Sequence, residues 1–330
     1  MIRTPPDGGA TDVRPGGAPH ALQQRLAASR ARRRRVALQK WGPGYVLVLP
    51  ATVLIAVMMI YPTLQTLRFS ISAVRLPTFE TTFVGLANFA AVIGDSATGL
   101  LLERTIWWVV GTVVLRFVLG FLAALVFNAK VRGTTWMRVL VLLPWTIPAV
   151  VAANLWRWIL QSDSGILDQS LTAWGLTGWA RNWLGNPHTA LPAVMIAYSW
   201  AGFPFIMLLI LAGLRGVPGE QYEAASVDGA NWWQLFRFIT VPAVKGVLAI
   251  ALILETVSAV NSFDTLTVMT GGGPANATQT WSLAIYRAGF VDFNLGGASA
   301  LSVLMFLGAL VLLAVYSAAN RGGQVKQAWR

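Results

Sequence analysis

The sequence contains no cysteine, which excludes a disulfide framework and any thiolate metal site. Histidine is nearly as scarce: His20 and His188 are the two, neither has a plausible set of metal partners, and His188 sits in a loop after Pro187. Charge is thin, with 12% Asp, Glu, Lys and Arg against about 25% in soluble domains. There is no G-x-x-x-x-G-K-[ST] stretch to cradle a phosphate, no H-E-x-x-H and no Ser/His constellation. The chain thus carries no energy source of its own, and an intramembrane enzyme would lack its parts. No cofactor or metal is expected in it.

What fills the space is apolar. Of 330 residues, 55% are hydrophobic, and the mean hydropathy is +0.60. That is too apolar for a soluble two-domain protein and reads as a polytopic membrane protein. A membrane-crossing helix needs about 20 predominantly apolar residues. Six stretches qualify: Tyr45–Leu67, Thr105–Phe127, Met137–Leu160 with Pro144 and Pro148 inside it, Ala190–Leu214 interrupted by Gly202 and Pro204, Ala243–Phe263, and Gly296–Ala319. The expected fold is all-α with six transmembrane helices. Residues 68–102, 161–189 and 264–295 read as loops. Residues 1–44 read as a basic tail, the first 20 disordered and 21–40 a surface helix, and residues 320–330 as a short C-terminal tail. The first apolar run begins too far in for a signal peptide, and Tyr61-Pro62 follows it in place of a small-residue cleavage site.

The net charge of +12 suggests either nucleic acid or an anionic surface. Its distribution favours the surface. Nine Lys and Arg precede Tyr45, including Arg32-Arg33-Arg34-Arg35, with no folded basic domain beside them. That is a juxtamembrane run facing anionic lipid, so lipid is an expected partner and nucleic acid is not. The N-tail, the 128–138 turn, the stretch to Lys245 and the C-tail hold 18 of the 25 Lys and Arg. The opposite loops and span ends hold six: Arg68, Arg75, Arg104, Arg157, Arg181 and Arg287. The bias places both termini in the cytoplasm. Of the 15 Trp, those at or near span ends (Trp107, Trp108, Trp145, Trp156, Trp158, Trp179, Trp183 and Trp281) read as interfacial anchors.

A mixed polar, charged and aromatic stretch between two spans, Val217–Pro242, carries the most organised pattern. Pro218 suits a helix start, and Glu220 and Glu223 sit in the first turns, where negative charge is favoured. Ala224 and Ala225 keep that helix slim. Asp228 and Gly229 suit a tight break, and Asn231–Phe238 reads as a second short helix before Pro242. The spacing Glu223-Ala224-Ala225, three residues, Gly229, nine residues, Ile239-x-Val241-Pro242 resembles the EAA loop of ATP-binding-cassette importer permeases, with Val241 where that pattern has Leu.

A second stretch narrows the resemblance. Phe263-Asp264 and Thr270-Gly271-Gly272-Gly273-Pro274 are similar to the F-D-x-x-x-x-x-T-G-G-G-P segment of the carbohydrate-importer group, which includes the maltose-type permeases. It reads as a sharply turned outer loop with free backbone amides. Tyr286 to Phe290, Gly296-Gly297-Ala298 and Trp183-Leu184-Gly185-Asn186-Pro187 are similar to the same group, so the likeness covers about residues 47–319. It implies a type I importer permease in the cell membrane, non-catalytic, paired with a second similar permease. Two separate ATPase subunits would bind ATP and magnesium, and an extracytoplasmic solute-binding protein would deliver a carbohydrate. It further implies that Glu223, Ala224, Ala225, Asp228, Gly229 and Ala230 form the ledge on which an ATPase acts. The same architecture could carry a polyol or glycerol phosphate. A stand-alone secondary transporter would need inverted repeats, and none is visible between 45–160 and 190–319. A membrane scaffold would leave the EAA spacing unexplained.

Polar residues inside spans are costly and mark candidate pathway positions. Glu255, Ser258 and Ser262 fall at i, i+3 and i+7 on one helical face, with Asn261 beside them. Arg116 and Asn154 are further intrusions. Glu255 either lines a pathway or pairs with Arg116 as helix glue. Tyr198, Trp200 and Phe203 would offer a sugar hydroxyl partners and aromatic faces, or would sit at the membrane interface.

Overall fold

The computed structural model describes Gly44 and residues 47–129, 134–162, 164–179 and 182–324. The expectations for the basic tail before residue 44 and for residues 325–330 lie outside the described residues. The chain divides into two compact units, residues 1–65 and 66–330. The described part of the first is helical from Leu47, in the helix Leu47–Ser70 (α1). It includes a π-helical stretch at Ala56–Ile60.

The second unit is a helical bundle. Its long apolar helices are α3 (Thr98–Asn128), α7 (Pro187–Arg215), α9 (Trp232–Asn261) and α12 (Leu295–Gln324). Between α3 and α7 lie the helices α4 (Thr134–Thr146) and α5 (Ala149–Ile159), which meet at 97° and together make one broken span. Among the described residues five helices are long and apolar enough to cross a membrane, α1 included, or six spans if the bent pair counts as one.

The bend falls at Pro148. A proline disfavours helical geometry in the residue before it and offers no backbone N–H. Pro148 itself sits at the N-cap of α5 with ψ 138°. Pro144, inside α4, does not break that helix. The stretch read as the third span is thus two rods at nearly a right angle. The opposite correction applies to α7. Gly202 and Pro204 do not interrupt it, and the helix is continuous for 29 residues. It is the most buried of the five spans, so neighbouring packing holds it straight where propensity alone would not. Its start follows local chemistry: Pro187 occupies the first turn, and the Asn186 side chain accepts from the His188 backbone N–H at 2.9 Å.

The second half of the Val217–Pro242 stretch is not a separate short helix either. It runs unbroken into the fifth span as α9, through a π-helical stretch at Phe236–Thr240. Pro242 lacks an N–H and crowds the carbonyl one turn back. Widening the helix there, with Val241 N–H bonding to Phe236 O, accommodates the ring without a break. The last helix runs past Ala319 to Gln324.

The connections carry structure where loops were expected. Ser72–Arg75 (β1) and Glu80–Phe83 (β2) form an antiparallel hairpin with Ser72 opposite Phe83. Asn88, on the short helix Ala87–Gly94 (α2), donates to the carbonyls of Ser70 and Ser72 at 3.0 Å each. Ile166–Ala173 (α6) follows the broken span, and Asp264–Met269 (α10) and Trp281–Phe290 (α11) follow α9.

Two apolar clusters hold the unit together. One gathers Trp108, Val194, Met195, Tyr198, Leu266 and Leu283; the other Ala124, Phe127, Ile206, Met207, Ile210 and Val244. Both lie on the α3–α7 contact. Several tryptophans expected as interfacial anchors are part of this interior. Trp108 is 1% exposed and donates its indole N–H to Ala259 O at 3.0 Å, and Trp281 donates to Leu301 O at 2.9 Å. An indole can be buried at little cost once its single donor is satisfied.

Candidate functional site

At one end of the bundle, between α7 and α9, hangs a short helix, α8 (Gly219–Val227). Pro218 is its N-cap and Glu220 lies in its first turn. Its C-terminus closes by two reversed hydrogen bonds, from Gly229 N–H to Ser226 O at 3.1 Å and from Ala230 N–H to Ala225 O at 2.9 Å. This closure needs a left-handed residue, and Gly229 has φ 83°. Asn231 and Gln234 then cap α9 reciprocally, at 3.0 and 2.7 Å. Glu223, Ala224, Asp228 and Gly229 are exposed, and Ala225 and Ala230 are half-buried. The motif thus stands out as a ledge. Tyr222 braces it on the spans: its hydroxyl lies 3.1 Å from that of Thr240, which is buried in the π-helical stretch. Nothing in the spacing of the motif points to this bond.

A cavity of about 850 Å³ opens among α3, α5, α7 and α9. Arg116 and Glu255 meet at its wall, Nη1 to Oε2, at 2.6 Å, with side chains only 6% and 5% exposed. Arg116 also donates to Tyr198 O at 2.8 Å, and its guanidinium carbon lies 3.7 Å from the centre of the Tyr198 ring. The Tyr198 hydroxyl in turn is 3.2 Å from Ser258 Oγ. Residues from three spans are joined in this way. The arginine fits because position 202 is glycine: a Cβ there would fall inside the guanidinium. Glu255 thus pairs with Arg116 and also lines the cavity.

Ser258 and Ser262 line the same cavity, as the helical face they share with Glu255 implies, and so does Asn261 beside them. Tyr198 does too, but Trp200 and Phe203 do not. Trp200 packs edge-on against Trp156, with ring centres 5.8 Å apart. The aromatic faces at the cavity come instead from Trp145 and Phe205, stacked at 5.7 Å, and from Phe263. Asp264 is also a lining residue. Sequence reasoning missed Phe205 because α7 is apolar all round, so periodicity does not say which face turns inward. Asn154 lies outside this cavity, on the wall of another.

The glycine-rich turn lies at the far end of α9 and α10 from the ledge. Its amides are not free throughout, since Gly271 N–H bonds to Leu266 O at 3.0 Å and Gly273 N–H to Thr270 O at 3.0 Å. The turn is closed by its own helix end.

Residues 116–322 match the family described as the inner membrane component of binding-protein-dependent transport systems. The trehalose/maltose transport system permease MalF of Thermococcus litoralis is 37% identical over 84% of this chain and 93% of its own. The trehalose transport system permease SugA of Mycobacterium tuberculosis is 32% identical over 92% of this chain and 98% of its own. The sulfoquinovosyl glycerol transport system permease SmoG of Agrobacterium fabrum is 31% identical over 82% of this chain and 87% of its own. Among solved structures, a bacterial transporter that imports the acidic polysaccharide alginate shares the fold at a TM-score of 0.78 and 20% identity, covering 88% of this chain and 98% of that one.

Proposed function

The chain belongs to the family of inner membrane components of binding-protein-dependent transport systems, and from that premise we propose that it forms half of the path for a carbohydrate, moved by force delivered at α8. It is a non-catalytic permease subunit of an ATP-binding-cassette importer. The observation that carries the proposal is the exposed ledge of Glu223 to Ala230, hung from two spans that wall the central cavity.

A separate ATPase seats α8 in a groove, with Glu223 at the contact and Ala224 and Ala225 permitting close approach. ATP-driven closure of the ATPase pair moves the ledge. The movement passes through the α8–α9 turn and the Tyr222–Thr240 contact into α9, which bears Glu255, Ser258 and Ser262. A second permease supplies the facing half of the path, and an extracytoplasmic binding protein presents the solute at the opposite end. The ledge and both termini face the cytoplasm, in line with the Lys and Arg bias. Rigid-body transfer of this kind needs a stiff, well-capped helix more than any reactive side chain.

The cavity chemistry supports an uncharged saccharide over a phosphorylated cargo. Hydroxyls of Tyr198, Ser258 and Ser262, the amide of Asn261 and the faces of Trp145 and Phe205 suit sugar hydroxyls and ring faces. The cavity's one cation among the described residues, Arg116, is already matched by Glu255.

The test is uptake into vesicles holding the complete assembly, with a panel of disaccharides and a phosphorylated polyol. Uptake is expected only with ATPase, second permease and binding protein together. Glu223→Lys or Gly229→Pro is expected to abolish solute-stimulated ATP hydrolysis. Uptake by this chain alone, or unchanged stimulation in both variants, refutes the proposal.

A further inference from the structure

A second cavity, of about 790 Å³, is lined by residues farther along α5 and beyond α10 and has a different character. Asn154, Arg157, Trp158, Gln161, Asn182 and Thr270 line it, so amides, a guanidinium, a hydroxyl and an indole face converge on one hollow. The two cavities share walls in sequence. On α5, Ala152 and Ala153 face the central cavity, and Asn154, Arg157 and Trp158 face the second. On α10, Asp264 and Thr265 face the first, and Met269 and Thr270 the second. The second therefore continues the first along the same two helices, toward the end that carries the glycine-rich turn, whose Gly273 and Pro274 form part of its rim.

The lining is chemically underused. The Arg157 guanidinium has no carboxylate partner among the described residues and makes one long contact, 3.5 Å, to Val268 O. The Asn154 amide donates at 2.9 Å to Val150 O, which leaves its carbonyl oxygen able to accept. Trp158 is 55% exposed. Sequence position alone suggests a lipid anchor for this indole, yet it stands in a polar hollow. Planar amides and a guanidinium can each bond two neighbouring hydroxyls, and an indole offers a flat apolar face.

We propose that this second cavity is a saccharide-binding station at the outer mouth of the path, occupied before the central cavity. This rests on the carbohydrate reading above. Size and shape favour a small ligand over a protein loop. The volume falls within the roughly 300–1,000 Å³ of small-molecule sites, whereas a protein partner needs a broad surface burying on the order of 800 Å² per side.

The absence of cysteine makes the test direct, because a single introduced thiol reports on one position. Gln161→Cys, Ser258→Cys and, as a control outside both cavities, Thr177→Cys are each labelled with a maleimide in the assembled transporter in nanodiscs. Labelling of this chain is read by mass. Millimolar trehalose or maltose, without binding protein, is expected to slow modification at position 161 about threefold or more, the protection that 1 + [L]/Kd gives at twice the Kd. It should leave position 177 unaffected.

Unchanged labelling at 161 overturns the inference whatever happens at 258. Protection at 161 that needs the binding protein and no sugar overturns it too, and assigns the hollow to protein docking. Failure of the carbohydrate reading shows separately, as absence of disaccharide uptake by the same assembly reconstituted in vesicles, with no protection at 258.

Discussion

Replacing Glu255 alone should be far more damaging than replacing it together with Arg116. The two side chains are about 95% buried and in contact at 2.6 Å. At an effective dielectric near 20, that separation corresponds to roughly 6 kcal/mol of attraction. Taking the two ions out of water costs several kcal/mol each, so the intact pair contributes little net stability. Glu255→Ala removes the attraction and leaves the Arg116 guanidinium buried with one acceptor, Tyr198 O, since its Nε already has no partner among the described residues. The expected loss is about 3–5 kcal/mol, whereas Arg116→Met with Glu255→Leu should lie within about 1–2 kcal/mol of the parent or above it. Reversible unfolding of the parent, Arg116→Met, Glu255→Leu and the double variant in mixed micelles with denaturant measures this coupling, with Glu255→Ala unfolded beside them. Additive single losses, or a Glu255→Ala loss below about 1 kcal/mol, would show that the pair is not the buried, mutually dependent contact described above. Uptake measured on the double variant separates glue from path. If the pair served only to join helices, uptake would return with stability; with Glu255 also lining the cavity, it should stay reduced.

Other consequences can be checked in parallel. Gly202→Ala places a methyl group inside the Arg116 guanidinium and should cost about 1–3 kcal/mol by overpacking; in an Arg116→Ala background the same change should cost almost nothing. Tyr222→Phe removes the hydroxyl pair with Thr240. It should destabilise the chain by only about 0.5–1.5 kcal/mol while lowering solute-stimulated ATP hydrolysis more than binding-protein affinity. Trp108→Phe removes the indole donor from Ala259 O, which keeps the Ser262 N–H at 3.3 Å, so the expected loss in thermal unfolding is about 0.5–1.5 kcal/mol.

Much of the architecture follows from windows of about 20 residues, because a bilayer demands a long apolar helix and little else. The ledge was legible for a similar reason. Its capping residues, its left-handed Gly229 and its small Ala224-Ala225 pair act on backbone within one or two turns, and the chain orders them in that sequence wherever it lies. Polar intrusions at Arg116, Glu255 and Ser258 were also visible, since any such residue stands out against an apolar span.

What the residues did not announce depends on which faces meet. Proline is ambiguous: Pro148 marks a 97° bend, while Pro204 sits inside an unbroken helix, and the surrounding packing decides between the outcomes. The hairpin at Ser72–Phe83 and the short outer helices looked like loop because each is too brief to show a period. The identity of the cavity aromatics, Trp145 and Phe205 in place of Trp200 and Phe203, turns on the rotation of α7 about its axis. The pairing of Arg116 with Glu255, one of two readings open from the sequence, joins residues 139 positions apart, so only packing could show that they meet. An apolar helix, alone, has no preferred face; only its neighbours, by burying one side and leaving another beside a hollow, decide which few polar atoms come together.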